Sequence, residues 1–295
     1  MIKHFLNNDK VFDTIVNIFV FCILVFTLYP IYFVLIASFS DPAMVANGDI
    51  ILYPKGINVE GFSYILKDIR IWRGYYNTFM YTFFGTLLAL LITIPAGYAL
   101  SRKDLKGKKI IMLFMVITMY FNGGLIPTYL VVKSLGLIDT PYVLIILGSF
   151  SVFNLIITRT YYISTLPLEL QEAAEIDGCT IPKYFMVVVV PLSKPIIAIM
   201  ALYYAVSHWN SFFNALIYVN NIRLYPLQLI LRDILITGQT VDVTTTDPEV
   251  VERLKRIAQT IKYGVIIVSS LPVLVMYPFV QKYFVKGVMI GSLKQ

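Results

Sequence analysis

Residues 166–195 read LPLELQEAAEIDGCTIPKYFMVVVVPLSKP. Four acids, Glu169, Glu172, Glu175 and Asp177, lie in this glycine-punctuated, proline-bounded segment between two long apolar runs. Pro167 and Glu169 suit the first turn of a helix, since proline needs no N–H there and a carboxylate favours the positive dipole end. Ala173 and Ala174 are strong helix formers whose small side chains let another surface come close. Gly178 is placed to end the helix in a left-handed conformation, where a Cβ is penalised. Thr180 and Pro182 start a second short helix, and Pro191 and Pro195 lead back into apolar sequence. The segment reads as a helix, a sharp turn and another helix.

Its surroundings are those of a membrane protein. The chain has 295 residues, 58% of them hydrophobic and 14% charged, with a mean hydropathy of +0.76. A soluble domain carries about 25% charged residues. Six stretches are apolar enough to cross a bilayer: 12–39, 76–100, 110–132, 142–163, 196–219 and 262–284. Lipid offers no partner for backbone polar groups, so such spans must be helices and the fold class is all-α. No small-residue cleavage site follows the first run, which is read as a retained anchor. The net charge of +7 suits loops facing anionic headgroups. No basic stripe interleaved with aromatics occurs, so nucleic acid is not an expected partner. Cys22 and Cys179 give no disulfide framework.

The connector SRKDLKGKK, 101–109, has five basic residues against one acid. Short basic loops stay in the cytoplasm, which puts both termini and the 164–195 loop inside. Residues 40–75, 133–141 and 220–261 then lie outside. The outer segment also holds Arg223, Arg232, Arg253, Lys255 and Arg256, with Lys262 at its border, against the rule, but the short connector sits directly at two helix ends. Asp247 as N-cap, Pro248 and the apolar positions Val250, Leu254, Ile257 and Ile261 predict an amphipathic outer helix.

Catalytic machinery is missing. There is no GxxxxGK[ST] phosphate loop, no GxSxG elbow, and the histidines His4 and His208 have no metal-ligand spacing. No catalytic and no metal-binding residues are assigned. A membrane-embedded glycosyl or acyl transferase is the alternative from another class, but no His/Asp constellation sits at a membrane face to support it. In the fifth span, His208, Trp209, Asn210, Ser211 and Asn214 form a polar and aromatic run with Phe212 and Phe213. Aromatic faces and amides suit a sugar, and the same residues serve equally to join helices. Both readings stay open. Asn122 with Gly123 and Gly124 is read as close packing or a kink, Asn154 as a helix–helix hydrogen bond, and Arg159 as a partner for the loop acids or for headgroups.

Glu172-Ala173-Ala174, three residues, Gly178, nine residues, then Val188, Val190 and Pro191 resembles the EAA loop of binding-protein-dependent ABC importer permeases. Val188 and Val190 replace the family's Ile and Leu and keep its apolar character. The stretches AGYALSR (96–102), GGLIP (123–127), GLIDT (136–140), PLQLILR (226–232) and FVKGVMIGSLK (284–294) are similar to the maltose-type carbohydrate branch, and most to permeases for larger or uronate-bearing oligosaccharides. The resemblance implies the type I ABC importer permease fold, with six transmembrane helices and cytoplasmic EAA coupling helices. It implies an N-terminal helix and first extracellular loop over 1–75, the transmembrane domain over 76–285 with the EAA loop at 164–195, and a cytoplasmic tail over 286–295. Glu172, Ala173, Ala174, Asp177, Gly178 and Pro191 would couple to an ATPase, and Gly291, Ser292 and Leu293 would reach it from the tail. His208, Trp209, Asn210, Ser211 and Asn214 are the candidate substrate pathway. The implied partners are a second homologous permease, two ATP-binding subunits and an extracellular solute-binding lipoprotein. No cofactor is expected on this chain, and ATP and Mg would sit on the ATPase subunits. The expected function is oligosaccharide import across the bacterial cytoplasmic membrane, with another solute such as a phosphorylated polyol as the alternative.

Overall fold

A computed structural model describes residues 2–237, 261–275 and 278; the side chains of residues 2–9 lie outside it. Its described residues form helices and connecting loops with no strand. In chain order these are α1 (Ile2–Ser38), α2 (Pro42–Ala46), α3 (Glu60–Lys67), α4 (Ile69–Ser101), α5 (Lys108–Tyr120), α6 (Leu125–Ser134), α7 (Pro141–Ile146) and α8 (Val152–Thr165). There follow α9 (Leu168–Ile176), α10 (Ile181–Tyr184), α11 (Val190–Leu192), α12 (Lys194–Trp209), α13 (Phe213–Tyr218), α14 (Leu227–Thr237) and α15 (Ile261–Val275). The outer helix expected from Asp247, the end of the sixth span and the tail residues Gly291, Ser292 and Leu293 lie outside the described residues.

Among the described residues two helices are long and apolar enough to cross a membrane without interruption, Lys10–Ser38 of α1 and the whole of α4. Twenty-nine residues rise about 43 Å, more than the roughly 30 Å of a hydrocarbon core. Three of the other expected spans are broken. The 110–132 span is α5 and α6, bent by 113°, and the 196–219 span is entered from α10–α11 through a 79° bend. The 142–163 span divides into α7 and α8. At the first break Gly124 has φ +86°, and a Cβ there would meet nothing within 4 Å. The Asn122-Gly123-Gly124 run is therefore a chain break, and no described residue of this chain packs on Gly124.

The described residues divide into two compact units, 2–69 with 231–237 and 261–271, and 70–230 with 272–275 and 278. In the first, Phe39 stacks on Phe62 at 5.1 Å, and Phe33 meets Tyr263 edge-on at 6.1 Å. The hydroxyls of Tyr29 and Tyr32 donate to the carbonyls of Ile51 and Leu52. Asp41 caps α2 by accepting from the Ala43 amide.

In the second unit α4 is the axis, and its buried positions recur at three- and four-residue steps. Three glycines make notches along it. A Cβ at Gly74 would lie 2.6 Å from Ile230, at Gly85 2.5 Å from the His208 ring, and at Gly97 2.6 Å from Thr158. The first notch is flanked by polar side chains that hold irregular backbone. The Asn77 amide donates to the carbonyls of Arg223 and Tyr225, the Tyr81 hydroxyl to that of Leu224, and Thr78 accepts from the Leu227 amide. Buried backbone groups need such partners, which explains a polar face on an apolar helix. Tyr81 then joins Val132, Val143, Leu144, Ala215, Tyr218, Val219 and Leu229 in one core.

Asp139 secures the same region from a strained position, φ +59°. Its amide donates to the Tyr218 carbonyl, and its carboxylate accepts from the amides of Asn220 and Asn221 at 2.9 and 2.8 Å. Asp139→Ala leaves two amides without their acceptor in a conformation alanine disfavours, and should cost about 2 kcal/mol. Asp139→Asn tolerates the left-handed region and keeps the acceptor. Thermal melting in detergent should therefore drop for alanine and stay near wild type for asparagine; equal drops would rule out this account.

Candidate functional site

The 164–195 segment folds as its sequence indicates. Pro167 is the N-cap of α9, with extended backbone, and Glu169 lies in the first turn. At the other end the Cys179 amide donates to the Ala174 carbonyl at 2.8 Å and the Gly178 amide to Glu175 at 3.0 Å, with Gly178 at φ +70°. These are the two bonds of a Schellman cap, and they turn the chain sharply. Thr180 then precedes α10, with Pro182 inside its first turn. A π-helical turn, Phe185–Val189, runs on into α11, and the chain bends at the buried Ser193 into α12. Pro191 is exposed beside that bend.

No residue of α9 is buried, and only Gln171 and Ala174 are half-buried. Glu169, Glu172, Ala173 and Ile176 are exposed and recur at helical spacing, with Ile176 86% exposed. Asp177 and Gly178 continue this open surface. Ala174 and Cys179 turn the other way and pack on a core of Ala89, Ile94, Tyr98, Tyr162, Tyr184 and neighbours. Ile176 thus stands open beside two carboxylates and a small alanine.

Tyr98 of α4 is the hub beneath. Its ring lies 5.2 Å from Phe185, 5.8 Å from Tyr162 and 6.5 Å from Tyr184. Arg102, one turn on, donates to the Tyr98 hydroxyl at 3.1 Å and to Asp104, and stands 3.9 Å from Glu175 of α9. The hydrogen bond to Asp104 raises the arginine pKa further and holds the aspartate below the usual carboxylate range. Because the folded aspartate titrates lower, this small contribution is complete at neutral pH and fades as the solution falls through the acidic range. Burial pushes the Tyr184 phenol up, so it stays neutral. The Arg159 guanidinium donates to the Leu100 carbonyl at 3.1 Å, satisfying the end of α4, and among the described residues it makes no ion pair with the loop acids. Neither Tyr98 nor Arg102 stands out by composition; the AGYALSR stretch was the signal that marked them.

The candidate pathway residues separate. His208 and Trp209 are 5% and 6% exposed and face inward. The His208 ring fills the notch at Gly85, and its Nε2 has no partner among the described residues. Asn210 is exposed and caps α12, its amide donating to Val206, while Ser211 and Asn214 are half-buried. Phe212 and Phe213 are exposed at the same break between α12 and α13. Asn154 is buried, and its amide is capped by Ser151, with no helix–helix bond from its side chain among the described residues. If His208 is a packing group, Gly85→Ala should overpack the notch and cost about 1–3 kcal/mol. Shortening the facing residue, Gly85→Ala with His208→Ala, should restore part of the melting temperature. A double variant less stable than the sum of the two single changes would reverse that assignment.

A membrane-embedded helical chain with an exposed, capped helix between two spans is the form of a transporter subunit driven from outside itself. Residues 71–246 match the family described as binding-protein-dependent transport system inner membrane component, and the chain belongs to it. It is a permease subunit of an ABC transporter in the cell membrane, and its family is non-catalytic. Protein LplC of Bacillus subtilis is 38% identical over 99% of this chain and 98% of its own length. The polygalacturonan/rhamnogalacturonan transport system permease protein YtcP of the same organism is 37% identical over 97% and 99%. A crystal structure of a bacterial ABC transporter involved in the import of the acidic polysaccharide alginate matches with a TM-score of 0.81 and 32% identity. That match covers 94% of this chain and 98% of the other. The type I permease fold is thus shared along almost the full length, and the transferase alternative falls away.

Proposed function

We propose that this chain moves uronate-bearing oligosaccharides inward, and that α9 through α11 form the element through which a separate ATPase drives it. The open face of α9, with Ile176 and Glu172 exposed above the Tyr98 core, carries this reading. Glu172, Ala173, Ala174, Asp177, Gly178 and Pro191 would then be the coupling residues, in a cleft of the partner. Closure of the ATPase pair would move α9 as a rigid piece and tilt α4 through Tyr98. ATP and Mg belong to those subunits, and this chain binds neither. A second permease, two ATP-binding subunits and an extracellular binding lipoprotein complete the assembly. Gly291, Ser292 and Leu293 would reach the ATPases from the 286–295 tail.

The chain crosses the membrane six times in this reading, broken spans included, with both termini and the 101–109 loop inside and the transport domain over 76–285. Asn210, Ser211 and Asn214, with Phe212 and Phe213, line the pathway at the α12–α13 break, where free backbone and amides can meet sugar hydroxyls. The names of the relatives, with their polygalacturonan and alginate cargo, support the acidic sugar. The decisive experiment is ATP hydrolysis by the reconstituted assembly with its binding protein. Oligogalacturonate or oligoalginate should stimulate it where maltotriose does not, and stimulation by maltotriose alone would displace the substrate class. In a variant lacking Cys22 and Cys179, single cysteines at Lys106 and Ser134 should react with impermeant reagents from opposite sides, Lys106 in inverted vesicles. The reverse pattern would invert the topology.

A further inference from the structure

Behind α9 lies a cavity of about 490 Å³ that the coupling role does not use. Arg102, Lys103, Lys108 and Arg159 line it, with Glu169 as the acid among its lining residues. Arg102 is already engaged with Asp104, and Lys108 bonds the Arg102 carbonyl at 2.7 Å, fixing the connector over the cavity. Among the described residues Lys103, Lys108 and Arg159 have no ion pair, and although Asp104 acts electrostatically on Lys108, the lining itself carries four cations against the one carboxylate of Glu169. Like charges around a concave wall focus a positive potential that an anion relieves. The same cavity is lined by Ile163 and Leu168, both exposed apolar side chains. A cationic recess edged with exposed hydrocarbon fits an amphiphile better than a bare ion.

We propose that this recess binds the phosphate of an anionic phospholipid headgroup, with the acyl chains leaving past Ile163 and Leu168. The proposal rests on the inside placement of the 101–109 loop, where anionic lipid and basic pockets between helices meet. A bound headgroup would tie the connector after α4 to the start of α9, next to the contact between Arg102 and Glu175.

The test uses the full chain in detergent micelles doped with phosphatidylglycerol or phosphatidylcholine, read by native mass spectrometry and by thermal melting. Phosphatidylglycerol should give retained adducts and a higher melting temperature, and phosphatidylcholine neither. Lys103→Gln should weaken the apparent affinity about fivefold, and Lys103→Gln with Arg159→Gln about 25-fold. The single variant keeps the result interpretable if loss of the Arg159 bond to Leu100 harms folding. A matching shift with inorganic phosphate, lost in the same variants, would uphold the anion site and assign it a soluble source. Unchanged phosphatidylglycerol binding in both variants would overturn the proposal, as would a response to trigalacturonate in place of the lipid. Cysteine labelling keeps the two readings apart. Binding that depends on Lys103 while Lys106 labels from outside refutes the topology alone; correct labelling with unaltered variants refutes the cavity alone.

Discussion

Gly178→Val should leave the protein in the membrane at its usual level and cut substrate-stimulated ATP hydrolysis and uptake about tenfold or more. The site combines a demanding backbone with open space. At φ +70° a β-branched residue is a steric outlier, costing at least about 1–2 kcal/mol. Yet an added Cβ meets nothing within 4 Å, so the core beneath is not overpacked. The strain must be released by unwinding the two cap bonds from Gly178 and Cys179, which frees the end of α9 and moves Ile176. A docking loss of about 1.4 kcal/mol is already tenfold in affinity. Gly178→Asn is the control, since asparagine tolerates the left-handed region and should retain most of the coupling. Normal uptake in the valine variant would end the coupling assignment, and equal loss in both variants would show that the conformation is not what matters.

The 164–195 segment was legible because each of its signals is local. Pro167, the alanines, Gly178 and Pro182 act through backbone rules within a turn of themselves, and the structure places them as those rules require. The breaks in the spans were less legible. Hydropathy averages over a window and does not register that Gly124 adopts φ +86° between two apolar helices, or that Ser151 caps a new one. His208 shows the limit most clearly. A histidine beside tryptophan and asparagines in a span reads equally as a sugar contact or a helix joint, and its place in the notch at a glycine 123 positions away is not visible in that stretch. Asn77, Thr78 and Tyr81 were passed over for the same reason: their acceptors and donors lie in residues 223–227. Notches and polar clamps of this kind are properties of pairs of segments, which a single stretch of sequence does not contain.

Tyr98→Ala should have the largest effect on stability and also separate the ATPase cycle from transport. The ring is 7% exposed and touches α4's partners on three sides, Tyr162, Tyr184 and Phe185. Removing a buried aromatic costs about 3–5 kcal/mol when the cavity does not collapse, and the rigid helices around this one limit collapse. The loss falls where α9 and the π-helical turn rest on α4, so movement of α9 would no longer be passed to the span. Tyr98→Phe keeps the ring contacts and removes only the acceptor for Arg102, a change of about 1 kcal/mol that leaves the hub in place. The expected order of melting temperatures is therefore wild type, then Tyr98→Phe slightly lower, then Tyr98→Ala far lower. In the reconstituted assembly the alanine variant should hydrolyse ATP with little response to loaded binding protein, while the phenylalanine variant responds. A destabilised Tyr98→Ala protein that still couples normally would reduce Tyr98 to a packing residue, and the path from α9 into the membrane would then have to run through Val189 and α12.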